Sequence, residues 1–476
     1  MLRKTANWIT TVLIVLVVTI YFVRAFDSRG LPEPAPEHRI EFESEFDASQ
    51  EADTDWWDYI AIERKLALEL AEHIAATPRL PNRVDRYNAG SLTSPESFPN
   101  NWNRSYEISV PSPRGVAVLL HGLSDSPYSM RATAETLASA GYNVVVPRMP
   151  GHGFAVGGLR HVSSEDWAAA VRVAIRHAVS LPGSDGGLVL VGYSNGGLLA
   201  VDYGLTCGDV DELPCPKAIV LLSPAILVSP FAAAANLHSA VSWIPYFERF
   251  QWESILPEVD PFKYTSFPKQ PGWEIHKMSK TTRRLLSKPG AADRLPPILA
   301  FQSVVDKTIN ASALVDILFS KLPDNGSELV AYDVNRSSQV VHMMKSAPDD
   351  VVAWFTDMAP LNYTAVVLGN HDGSSDELEA WRLAAQAESG VMSSLSMSWP
   401  GHIYSLSHIA IPFRPEDPLY GDGSVLDGGT GIVLGALSPR GERGMLRLSA
   451  DYFMRARYNP FFAYQAERLT AWLEAL

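Results

Sequence analysis

The stretch from Leu188 to Leu199 constrains this chain more than any other. Leu188-Val189-Leu190-Val191 runs as an apolar strand into Gly192-Tyr193-Ser194-Asn195-Gly196, and Gly197-Leu198-Leu199 opens a helical pattern. A serine on so tight a strand-to-helix turn is held in strained backbone geometry, with its hydroxyl pushed out over the sheet edge. Gly192 and Gly196 suit the turn because a Cβ there would strike the neighbouring strand or helix. Asn195 starts the helix, so its N–H points to where a carbonyl oxygen becomes an oxyanion. Ser194 is the expected nucleophile. A bare Gly-x-Ser-x-Gly says little; the strand before it and the helix after it carry the inference.

A second apolar run, Val116-Ala117-Val118-Leu119-Leu120, ends in His121-Gly122-Leu123. The residue after His-Gly can present a second oxyanion N–H, which falls to Leu123. His121 reads as structural, as do His152 and His161. Further strands are expected at Asn143–Val146, Ala218–Leu222, Ile298–Gln302 and Glu328–Tyr332. Helical stretches at 130–140, 164–179 and 195–205 alternate with the earlier strands. Such alternation predicts an α/β fold, βαβ units around a mostly parallel sheet.

Composition narrows the classes. At ~100–200 residues per domain, 476 residues make two or three folding units. Thirty-nine Lys and Arg against 53 Asp and Glu give a net charge of −14, which argues against a nucleic-acid binder. Two cysteines exclude a disulfide scaffold or a Cys-rich zinc module. Cys207 and Cys215 bracket a short loop; they either close a small ring or are two unrelated thiols.

From Thr5 to Val23 no residue is charged. At ~1.5 Å per residue the run spans about 28 Å, close to the ~30 Å hydrocarbon core of a bilayer. Residues 1–26 are expected to be a transmembrane anchor rather than a cleaved signal, with the body on the exported side. Residues 27–58 read as an acidic linker. Residues 59–223 form the first part of the core, with a helix from Trp56 to Ala76 resting on it. Residues 224–296, rich in aromatics, read as a mainly helical cap, and 297–476 as the second core part with a long irregular insertion between 336 and 402.

Taken together, these motifs resemble the α/β-hydrolase fold and, within it, the monoacylglycerol-lipase and lysophospholipase-like serine hydrolases. Pro147-Arg148-Met149-Pro150-Gly151-His152-Gly153 is similar to that branch's Pro-x-x-Pro-Gly-His-Gly loop. The likeness is good from Ser105 to Leu222 and partial from Leu295 to Asp333. It implies a triad in the order Ser, Asp, His. Asp306, after the strand 298–302, matches the acid position. For the base, Ser405-Leu406-Ser407-His408 followed by Pro412-Phe413 resembles bacterial relatives, which favours His408; His342, His402 and His371 are the alternatives. The implied chemistry is ester cleavage through an acyl-enzyme, with no cofactor and no metal. An aromatic cap and an anchor suit an amphiphilic acyl ester, a lysophospholipid or monoacylglycerol, met at the membrane. The competing expectation is a catalytically silent binding module of the same fold.

Overall fold

The computed structural model describes residues 7–16, 18–19, 23, 30–77, 82, 84–208, 213–227, 245–304, 311–338, 341, 349–401, 403–424, 434 and 457–476. The principal elements are α1 (Trp56–Ala76), β1 (Tyr106–Ile108), β2 (Gly115–Leu120), α2 (Arg131–Ser139), β3 (Tyr142–Val146), α3 (Ser164–Ser180), β4 (Leu188–Tyr193) and α4 (Asn195–Thr206). They continue with β5 (Ala218–Leu222), α5 (Lys269–Leu286), β6 (Ile298–Ser303), β7 (Glu328–Tyr332), β8 (Thr364–Gly369), β9 (Glu377–Leu383), β10 (Val391–Ser398) and α6 (Phe462–Ala475).

These ten strands join one sheet in the order β1-β3-β2-β4-β5-β6-β7-β8-β9-β10, and Trp252–Ser254 and Phe267–Pro268 make a separate two-stranded sheet. From β3 to β8 every neighbouring pair is parallel. The edges, β1 on one side and the β9–β10 pair on the other, are antiparallel. Parallel strands are covered on both faces, so they read as unbroken apolar runs rather than alternating ones. In β2, Val116, Val118 and Leu120 face α3, α4 and α5, while Ala117 and Leu119 face α2 and α6.

The six expected strands are all present. Three more, β8 to β10, occupy the region expected to be irregular. β9 buries Leu378 and Ala380 on one face and Trp381 and Leu383 on the other, with Glu377 and Arg382 exposed, and β10 is a serine-rich, largely exposed edge strand. Neither has the dense Val/Ile/Leu content that marks the central strands.

Two other expectations change. The stretch from 30 to 53 is packed rather than linker-like: Glu37, His38, Ile40 and Phe46 are buried. Its acids meet arginines far along the chain, Glu45 with Arg148 at 2.7 Å and Glu51 with Arg172 and Arg176. Charge counted locally could not show partners about a hundred residues away. In the cap, Phe250, Trp252, Phe262 and Tyr264 are buried, and α5 lies beside α4, where the Thr282 hydroxyl donates to Asp202 at 2.7 Å. These cap aromatics pack inward instead of lining a roof. Residues 228–244, the rest of that segment, lie outside the described residues.

Cys207 and Cys215 are joined as a disulfide. Within the expected anchor, residues 7–16 and 18–19 are helical, with Trp8, Leu13 and Ile14 exposed, and most of the remainder lies outside the described residues. Among the described residues no helix is long and apolar enough to cross a membrane.

Candidate active site

The order of strands fixes where a site can form. The chain leaves β2 outward to β3, then returns past β2 to β4, so the crevice beyond the C-terminal ends of β2 and β4 is the sheet's topological switch point. Leu120 and Gly192 are register partners there. Leu123 and Asn195 each lie three residues further on, past the ends of strands ~4.8 Å apart.

Ser194 occupies φ 52°, ψ −111°, a conformation rare for any residue but glycine. Its N–H donates to the Leu222 carbonyl at 2.9 Å, and its carbonyl accepts the Ala225 N–H at 2.9 Å, tying the turn to β5. The two flanking glycines are required by contact. A Cβ on Gly192 would stand 2.2 Å from the Gly196 oxygen, and one on Gly196 would stand 2.0 Å from the Leu120 oxygen. With both absent, α4 packs directly across the ends of β2 and β4. Among the described residues, neither the Leu123 nor the Asn195 N–H has a hydrogen-bond acceptor. The Asn195 side chain is buried with neither polar atom paired among those residues.

A serine on a strand–turn–helix elbow at the switch point of this sheet decides the architecture. The fold is that of an α/β-hydrolase.

Three comparisons bear on the chain. Residues 111–260 match a family described as serine aminopeptidase, S33. A thermostable monoacylglycerol lipase of Bacillus sp. (strain H-257) is 27% identical over 219 residues, which cover 46% of this chain and 80% of that one. Among solved structures, a monoacylglycerol lipase of Paleococcus ferrophilus is 21% identical with a TM-score of 0.38, over 48% of this chain and 88% of that one. A soluble variant of the Saccharomyces cerevisiae monoglyceride lipase is 15% identical with a TM-score of 0.37, over 48% and 82%.

The α/β-hydrolase elbow is served by loops whose histidines hold structure. His121 is fully buried; its Nε2 accepts the Met149 N–H at 2.9 Å, which leaves Nδ1 to donate to the Gly122 carbonyl at 2.9 Å. Burial pushes its imidazole well below the ordinary range, so it stays neutral. His152 donates from Nδ1 to the Pro150 carbonyl at 3.0 Å, and burial pushes it down to about 4. His161 is half-exposed beside Glu41.

The candidate bases separate by position. His408 is partly exposed, on a short turn from His408 to Ala410. The residues before it cross the C-terminal ends of β6 and β7. The Ser303 hydroxyl donates to the Leu406 carbonyl at 2.7 Å, the Asn335 N–H to Tyr404 at 2.7 Å and the Asn335 amide to Ile403 at 3.0 Å. The His408 imidazole lies close to Asp125, whose carboxyl burial raises above the ordinary carboxylate range while Lys263, and more weakly His408, pull it back. His371 follows β8, four strands from β4, which at ~4.8 Å per strand is about 19 Å away. It faces Asp333 and Glu379 instead. His342 and His402 lie outside the described residues, as does Asp306, three positions beyond the last residue of β6.

One pair in this site escaped the sequence. Asp125 is buried, and both its oxygens accept from Lys263 Nζ at 3.1 Å. An acid three residues into a tightly packed loop calls for a cation, but nothing local indicates which one.

Proposed function

We propose that this protein is a membrane-anchored serine hydrolase that cleaves carboxylic esters of amphiphilic acyl substrates, of the monoacylglycerol or lysophospholipid class. The observation that carries the proposal is the Ser194 elbow, φ 52° at the switch point, with the Leu123 and Asn195 N–H groups past the same strand ends and without an acceptor among the described residues. Asp306 orients His408, which takes the Ser194 proton as the hydroxyl attacks the ester carbonyl. The negative oxygen that forms accepts from Leu123 and Asn195 N–H, each donor lowering the barrier by about 3 kcal/mol. His408 then protonates the departing alcohol, and water, deprotonated by the same imidazole, releases the acid from Ser194. All of this follows the Ser-His-Asp template.

The substrate class rests on two supports. One is the uncharged segment 5–23, which would keep the body at a bilayer surface, on the exported side. The other is the similarity to the Bacillus lipase over most of that protein's length. The cap aromatics lend little, being buried.

A fluorophosphonate probe tests the proposal. Wild type should be labelled and Ser194→Ala should not, and hydrolysis of p-nitrophenyl esters should rise with acyl length. Folded wild type that resists the probe would leave only the silent binding module.

A further inference from the structure

The loop that presents Leu123 has an unusual shape. Ser124 sits at φ 64°, in the left-handed region that a residue with a side chain avoids. Asp125 turns its carboxylate back beneath Gly122, so closely that a Cβ there would lie 2.8 Å from Oδ2. A buried carboxylate needs a partner to stay charged in such a place. Among the described residues, Lys263 alone donates to it, reaching both oxygens at 3.1 Å. The next residue completes the grip: the Tyr264 N–H donates to the Ser124 carbonyl at 2.8 Å. Two consecutive residues of the cap base therefore hold two consecutive residues of the loop.

The cap base is itself fixed. Asp260 Oδ1 accepts the N–H groups of Phe262 and Lys263 at 3.0 Å and the Tyr420 hydroxyl at 2.6 Å. The Phe262 ring stacks on Tyr128 with centroids 4.4 Å apart. Tyr420 belongs to the segment that follows His408, so loop, cap base and base-bearing segment are joined in one network.

We propose that Lys263 is a positioning residue: by pairing with Asp125 it locks the 122–126 loop in the shape that aims the Leu123 N–H at the reacting oxygen, and so links the oxyanion hole to the base of the cap. This rests on the ester-hydrolase reading above and goes beyond it, because Lys263 touches no reacting atom.

Kinetics on p-nitrophenyl butyrate with the full chain test the positioning role. Lys263→Met should lower kcat about 10- to 100-fold with KM changed less than about twofold, since an oxyanion donor acts chiefly in the transition state. Lys263→Arg should restore most of the activity. The double variant Asp125→Asn, Lys263→Met, which removes both buried charges, should be no slower than Lys263→Met alone, because coupled residues do not add. Should Lys263→Met fail to fold, the double variant is read against wild type instead, and the same loss in kcat, about 10- to 100-fold at little-changed KM, is expected. Unchanged kcat in Lys263→Met, a loss confined to KM, or multiplied losses in the double variant would each overturn the proposal. Wild type lacking both turnover and phosphonate labelling would instead sink the hydrolase reading, and this proposal with it.

Discussion

His152 shows how much of this site is built from groups that must not titrate. Its ring is buried against Trp167 and His121, with Nδ1 held by the Pro150 carbonyl. An unfolded chain protonates this imidazole near pH 6.5, the folded protein only near 4. Its contribution to stability is thus full above pH 6.5 and is lost as the pH falls to 4. Measured by urea unfolding, the stability difference between wild type and His152→Asn should shrink by roughly 3 kcal/mol between pH 7 and pH 4. A difference that stays constant would mean that the ring is charged or solvated in the folded protein. His121 has the same sign of shift from the same cause. His121 was readable as structural because it follows a buried strand directly, and His152 because it sits in a Gly-rich loop six residues past β3, whereas the role of Lys263 depends on a partner 138 residues away.

Among elements, the segment from 403 to 420 has almost no regular structure, and one buried acid gathers the bonds that hold its far end. Asp417 accepts from the Tyr128 hydroxyl at 2.9 Å, from Arg131 at 3.1 Å, and from the N–H groups of Leu419 and Tyr420 at 3.0 and 2.8 Å. Asp417→Ala should lower stability by roughly 3 kcal/mol, as breaking a buried charge pair does. It should also slow phosphonate labelling, because His408 loses its support; an unchanged labelling rate would place the base elsewhere. This segment explains why the histidine was hard to choose from sequence. The parallel strands advertise themselves, since burial on both faces makes them uninterrupted apolar runs. β9 mixes charged residues into its buried run, β10 is a largely exposed serine-rich edge, and the 403–420 segment is specified by hydrogen bonds to distant strand ends. No local pattern encodes such bonds.

On the scale of the whole molecule, residues 30–77 are part of the core rather than an appendage to it. Arg148 is fully buried between Glu45 and Glu63, and Glu45 also accepts the Gly151 N–H at 2.8 Å. A chain lacking residues 1–29 should remain folded and hydrolyse a water-soluble ester at an unchanged rate. One lacking residues 1–53 leaves Arg148 without Glu45 and should unfold or aggregate on purification; a stable, active form of it would show the N-terminal strap to be dispensable. Similar ties close the other end, where Glu328 on β7 pairs with Arg468 on α6 and Trp472 donates to the Gly326 carbonyl at 2.9 Å. These long-range ties order events during biosynthesis. A polypeptide emerging from its N-terminus must wait 103 residues before Glu45 meets its arginine, and 140 before Glu328 reaches Arg468. Each acid therefore stands without that distant partner while the intervening chain is made, and the nascent segment must be shielded until then.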